Sequence, residues 1–240
     1  MNCSRTGAYQ HHIEMLVACI LLLVVTVPCA GEVITNLGTK EKVVCLTFDG
    51  CETKTPSYLD AKILNYLVDE KLPFTIFVSG KFAKRNFSDL AELAKNDLIS
   101  IQNHSLSHIN HMETLPASKI YLDVIENQKI IEDITGSRPI FFRFPAGNYS
   151  PKALDLVESL GYAVVHWSFP SGDPARNLTA EKMTAWVLSK VQPGSILIFH
   201  INGRGYHTGE ALPKIVRKLR DQGYRFVKLE DYISSRDGAH

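Results

Sequence analysis

From residue 43 onward the sequence alternates short β-branched or aromatic runs with longer stretches of helical period, and few architectures accommodate that rhythm. The runs are 43–48, 74–78, 99–102, 140–144, 163–167, 195–199 and 225–228. Between them, apolar residues recur on one helical face: Leu59, Ile63, Tyr66 and Leu67, then Leu90, Leu93 and Ala94. Ile120, Val124, Gln128 and Ile131 continue with one polar exception, followed by Leu154, Leu156, Val157 and Leu160. Met183, Trp186 and Val187, and finally Leu212, Ile215, Val216 and Leu219, complete the series. Strands that alternate with helices pair in parallel through right-handed crossovers. About seven units in one domain of α/β class therefore make either an open doubly wound sheet or a barrel, and periodicity does not choose between them.

The polar residues that interrupt this pattern fall at one end of it. Asp49 follows the first run, His104 the third, Arg143 closes the fourth, Trp167 and Asp173 follow the fifth, and His200 follows the sixth. Residues just past the C-terminal ends of parallel strands share one face, where α/β active sites are built. Charge adds no competing theme, since 26 Lys plus Arg stand against 25 Asp plus Glu in 240 residues. That balance gives no electrostatic ground for nucleic acid or an anionic membrane surface as partner.

The N-terminus is of another kind. Arg5, His11 and His12 precede an apolar run over residues 15–27, followed by Pro28, Cys29, Ala30 and Gly31. A basic lead, a run of roughly 7–15 apolar residues and small residues beyond describe a secretory signal. The expected division is a signal peptide or N-terminal anchor over 1–30 and a catalytic domain over 31–240. Export is implied, to the periplasm, the cell envelope or the exterior, with membrane attachment only through an uncleaved leader. In the remaining chain Cys45 lies within a strand-like run and Cys51 in the loop after it, a geometry that favours two separate thiols over a disulfide.

Several side chains at the strand ends suit hydrolysis. His104 and His108 stand at i and i+4, a spacing that presents both imidazoles on one side of a helical turn, as metal ligands require. Asp49 ends a buried strand and is suited to act as general base, with Arg143 holding it ionised through a bidentate pair. Pro145 and Gly147 mark a tight turn that aims a backbone N–H at a substrate oxygen. His200, at the end of an apolar strand, is placed to protonate a leaving amine, and Trp167 to form a wall for a sugar ring.

Together, TFD at 47–49, HSLSH at 104–108, RFPAG at 143–147, Trp167 with Asp173, and the apolar run ending at His200 resemble the polysaccharide deacetylase family, the NodB-homology carbohydrate esterases. The resemblance runs from residue 43 almost to the C-terminus. It implies a distorted (β/α) barrel and a divalent metal, zinc by ligand type, with cobalt, nickel or manganese as alternatives. It also implies Asp49 as base, His104 and His108 as ligands, Arg143 as partner of Asp49, and His200 as acid tuned by Asp173. The Ala146 N–H would help bind the oxyanion, and Leu197 would border the pocket for the acetyl methyl. The family's second aspartate, a metal ligand, is replaced by Gly50, so Glu52, Asp49 or water is expected to complete the shell, and a carboxylate restored at position 50 to strengthen it. Pro174 stands where a tryptophan is usual. The segment 200–208, HINGRGYHT, resembles a subgroup lacking that aspartate. The expected activity is removal of N-acetyl groups from an N-acetylated polysaccharide such as peptidoglycan or a chitin-like polymer. The alternatives are a metal-poor carbohydrate-binding pseudoenzyme and a hydrolase of a non-sugar amide or imide.

Overall fold

The computed structural model describes residues 31–52 and 57–233. Its centre is strand β1 (Val43–Gly50), every residue of which is buried. A strand covered on both faces reads as a continuous apolar run, which is why Val43, Val44, Cys45, Leu46 and Phe48 mark it in sequence. Flanking it are β2 (Phe74–Val78), β3 (Ile99–Asn103), β4 (Phe141–Phe142) and β5 (Ala163–Val164) on one side. On the other lie β7 (Ser195–His200) and the short β6 (Phe169–Pro170), giving the order β5-β4-β3-β2-β1-β7-β6. Strand β8 (Arg225–Phe226) pairs with the start of β1, and all these pairings are parallel.

The sheet curls into a half-barrel wrapped by helices, which resolves the choice left open by periodicity. Residues 34–36 lie across its seam: Ile34 bridges Val165 just past β5, and Asn36 bridges Ser195 at the start of β7. Helices α1 (Ala61–Asp69), α2 (Gly80–Arg85), α3 (Phe87–Leu93) and α4 (Ala117–Thr135) follow the first three strands. Next come α5 (Pro151–Ser159), α6 (Ala180–Lys190), α7 (Thr208–Asp221) and α8 (Leu229–Ile233). Several starts follow the chemistry of N-terminal caps. Asp60 accepts from the N–H groups of Lys62 and Ile63, Ser150 from Ala153, and Thr179 from Lys182. Phe48 holds β1 to its neighbours, with ring centroids 5.8 Å from Phe74 and 5.9 Å from Phe199.

Three expectations change. The fourth and fifth strands shrink to two residues each, and β6 is an additional strand. Residues 104–108 form no helical turn, because Ser105 and His108 both adopt left-handed backbone, φ 67° and 49°. The leader over 1–30 lies outside the described residues. Cys45 and Cys51 are free thiols, as their strand and loop positions suggested, and both are buried.

Candidate active site

The C-terminal end of β1 presents Asp49 beside His200 of β7, their Cα atoms paired in the sheet register. Arg143, just past β4, is completely buried beneath them. Its Nη1 donates to Asp49 Oδ1 at 2.8 Å, and its Nη2 to Thr47 Oγ1 at 2.9 Å and His166 O at 3.0 Å. Nε donates to Val165 O at 3.2 Å, and the guanidinium lies 4.0 Å from the centre of the Phe77 ring. The pairing with Asp49 is therefore one-armed, not bidentate. The other arm serves neighbouring strand ends, because a desolvated guanidinium needs acceptors for all its donors. Burial alone would raise the Asp49 carboxyl. The charges of His104, Arg143 and His200, with the Arg143 hydrogen bond, outweigh that effect and hold it at about 2. Arg143 is the partner that persists at neutral pH, since burial keeps His104 below the ordinary imidazole range.

One remote side chain and two local ones hold the 104–108 loop. Asp123 of α4 accepts from Leu106 N at 2.9 Å and Ser107 N at 3.2 Å. Asn103 Oδ1 accepts from Ser105 N, and Ser105 Oγ from His108 N, each at 3.0 Å. The loop thus brings the two imidazoles together, with centroids 4.9 Å apart, although not by the helical turn expected. His104 Nδ1 donates to Arg143 O at 2.8 Å, a bond that fixes its tautomer and leaves the Nε2 lone pair free. That Nε2 is buried without a hydrogen-bond partner, 3.5 Å from Asp49 Oδ2. His108 Nδ1 is likewise buried and unpartnered, and burial takes this imidazole down to about 3.

Two neutral, adjacent imidazoles with orphaned nitrogens fit two ligands of a divalent metal. The third ligand does not fit. A Cβ added at Gly50 would lie 2.6 Å from Cε1 and 2.9 Å from Cδ1 of the fully buried Phe82 ring, so the carboxylate's seat is filled by a side chain of α2. Glu52, the sequence's candidate replacement, is engaged elsewhere, accepting from Arg85 Nε at 2.7 Å. Among the described residues no three His, Cys, Asp or Glu side chains converge on a point that could hold a metal.

Across the cleft, Asp173 holds His200. Its Oδ1 lies 2.9 Å from His200 Nδ1, and its Oδ2 accepts from His200 N at 2.6 Å and Thr208 Oγ1 at 3.1 Å. A carboxylate only accepts, so the Nδ1 proton is fixed and Nε2 is the nitrogen left for chemistry.

Asp49, His108 and His200 open into one cleft of about 490 Å³. Trp167 forms a wall, stacked on His166 at 5.3 Å and packed so closely on Gly147 that a Cβ there would lie 2.7 Å from its ring. Ala146 lines the cleft in a left-handed conformation, φ 55°. Leu197 does not. It packs into the core with Phe48 and Phe199, while Ile198, on the opposite face of β7, borders the cleft. Asn110 and Arg204 also line it and were not singled out from sequence, although Arg204 lies within the HINGRGYHT segment. His166, buried beside Arg143 with Nε2 unpartnered, went unnoticed too.

The polysaccharide deacetylase family model matches residues 36–165. Peptidoglycan-N-acetylmuramic acid deacetylase PdaA of Bacillus subtilis is 30% identical over 83% of this chain and 74% of its own length. Its solved structure, described as a family 4 carbohydrate esterase, superposes with a TM-score of 0.72 at 26% identity, covering 86% of each chain. A peptidoglycan-N-acetylglucosamine deacetylase of Bacillus cereus is 28% identical over 85% of this chain and 93% of its own. A family 4 pseudoenzyme from Bacillus anthracis is 22% identical with a TM-score of 0.70, over 80% of this chain and 65% of its own, a likeness of fold alone. With its parallel half-barrel and its ordered motifs gathered at one cleft, the chain belongs to the polysaccharide deacetylase family.

Proposed function

We propose that this protein removes N-acetyl groups from an N-acetylated cell-wall polysaccharide, with peptidoglycan the foremost substrate. The carrying observation is that Asp49, held ionised by Arg143, and His200, oriented by Asp173, face one cleft from paired positions of adjacent strands. Mere sugar binding needs no such acid–base pair.

The reading assigns each group a step. Asp49 takes a proton from the attacking water, which Arg143 permits by keeping the carboxylate charged. The Ala146 N–H, at the left-handed turn, helps bind the oxyanion as the carbonyl carbon becomes tetrahedral. His200 Nε2 then protonates the departing amine, with Asp173 stabilising the imidazolium. The acetyl methyl rests near Ile198, and Trp167 carries a sugar ring. A divalent metal on His104 and His108, zinc by ligand type, would supply positive charge to the scissile carbonyl and acidify the attacking water. Relatives that act on peptidoglycan favour action outside the cytoplasm, in line with an exported chain whose mature form begins near Gly31.

Acetate release from peptidoglycan strands and chitin oligomers, with and without added zinc or cobalt, tests the reading. A metal-stimulated release abolished by Asp49→Asn is expected. The filled seat at Gly50 favours a second reading, a carbohydrate-binding pseudoenzyme. Tight glycan binding with no acetate under any metal would establish it.

A further inference from the structure

The HINGRGYHT segment is only partly absorbed by the mechanism: His200 is its acid and Thr208 braces Asp173, but residues 202–206 have no role there. They form a built loop. Asn202 is buried and its Nδ2 donates to Cys51 O and, at 3.2 Å, to Cys51 Sγ. Its Oδ1 accepts the Arg204 N–H at 3.3 Å, closing a turn through Gly203, which has φ 79°. Gly205 lies where a Cβ would be 2.6 Å from His200 O and 2.9 Å from Asp173 Oδ2, so the loop is pressed against the catalytic acid. This framework delivers the Arg204 side chain to the cleft.

That side chain is half-buried and its charge is unmatched. Its one side-chain hydrogen bond among the described residues is a 3.8 Å contact from Nη1 to Cys51 Sγ, a weak acceptor. Among the described residues no carboxylate pairs with Arg204. The other charges are accounted for, with Asp49 on Arg143 and Asp173 on His200. A second guanidinium, Arg176, lies 4.7 Å from the ring of Tyr206, two residues along the same loop. A partly desolvated arginine with free donors is a receptor for a carboxylate, which it grips in planar, two-point geometry.

We propose that Arg204 is a specificity-determining residue that binds a carboxylate carried by the glycan beside the scissile acetamido group. The inference rests on the deacetylase reading for the acetamido group, but the carboxylate preference is measurable as binding alone. An acidic substituent on the sugar itself, as in muramic acid, has the chemistry required, whereas a chitin oligomer lacks it.

The test is calorimetric binding of peptide-free glycan strands carrying muramic carboxylates, the same strands methyl-esterified, and a chitin oligomer of equal length. Wild type should prefer the free carboxylate over its ester by about tenfold or more, the scale of one charged hydrogen-bonded contact. Arg204→Gln should erase that ratio and Arg204→Lys restore part of it, with unchanged thermal midpoints excluding a folding defect. No preference in wild type, or one retained in Arg204→Gln, would overturn the proposal. So would weakening by Arg204→Gln that falls equally on all three glycans. Acetate release by wild type, followed in parallel, reports on the deacetylase reading separately, since a carboxylate preference without acetate sustains Arg204's role while sinking the catalysis.

Discussion

Restoring the family's aspartate with Gly50→Asp should weaken this protein without improving its metal site. Gly50 ends β1 in ordinary extended backbone, so the obstacle is contact alone. The added Cβ would stand 2.6, 2.9 and 3.1 Å from three atoms of the Phe82 ring. Phe82 is fully buried against the central core and is no flexible tip that can swing aside. Overpacking of this kind costs about 1–3 kcal/mol, which at about 2–4 °C per kcal/mol for a domain of this size lowers the midpoint by about 2–12 °C. Desolvating a second carboxylate beside Asp49 adds to the loss. Phe82→Ala opens the seat at a cost of about 3–5 kcal/mol on its own. The two changes should then be coupled, the double variant being more stable than the sum of the singles predicts by about 1–3 kcal/mol. Urea denaturation of all four proteins measures that coupling, and zinc competition against a chelator reads the site. Only Gly50→Asp/Phe82→Ala is expected to hold zinc more tightly than wild type. If Gly50→Asp alone were as stable as wild type and bound zinc more tightly, the ring would have given way and the reasoning would fail.

Other substitutions test the remaining parts of the site. Asp49→Asn should cut acetate release by on the order of 10²-fold or more, as expected for loss of a general base. It should also cost about 1–3 kcal/mol in urea denaturation, because Arg143 keeps a hydrogen bond but loses its counter-charge; near-normal turnover would reduce Asp49 to a structural role. Asp173→Asn should lower kcat by at least about tenfold with little change in KM, as His200 loses its fixed proton; an unchanged kcat would remove Asp173 from the mechanism. His166 tests pH dependence, since burial lowers its imidazole from 6.5 to about 4. The unfolded chain takes its proton near 6.5 and the folded chain only near 4. Stability is therefore full above about 6.5 and drains as pH falls toward 4, by up to about 1.4 kcal/mol per unit. His166→Phe should lower the slope of the metal-free protein by about that amount, leaving the part owed to buried His104 and His108; identical slopes would contradict the assignment.

Much of this was legible in the chain because burial leaves a mark on sequence. The strands β1, β2 and β7 are covered on both faces and read as apolar runs interrupted only by small hydroxyl residues such as Thr47, Thr75 and Ser195, and Asp49 and His200 stand out as the acidic and imidazole side chains at the ends of β1 and β7. The phase of β7 was legible as well: alternation puts Ile198, two residues before His200, on the face that His200 presents to the cleft, and Leu197 on the opposite one. Phe82 was out of reach. Its helix has six residues, too few for a period, and its bearing on Gly50 is a contact 32 positions distant. The left-handed residues Ser105 and His108 had a local sign in Asn103 and Ser105, whose side chains bond backbone N–H groups two and three residues on, but the bonds from Asp123 of α4 that complete the loop are remote in sequence.

Among the described residues Arg143 is the largest side chain hidden completely from solvent, and from its place just past β4 its guanidinium bonds to the ends of two other strands, β1 and β5. The keystone of the chemistry is thus also a keystone of the barrel, and selection cannot adjust one without disturbing the other. A survey of variants scored only by protein abundance, blind to substrate, should rank position 143 among the least tolerant in the chain. Arg204, on a surface loop, should pass such a survey almost unnoticed. The gap between those two positions separates what this fold must keep in order to exist from what it is free to change in choosing a substrate.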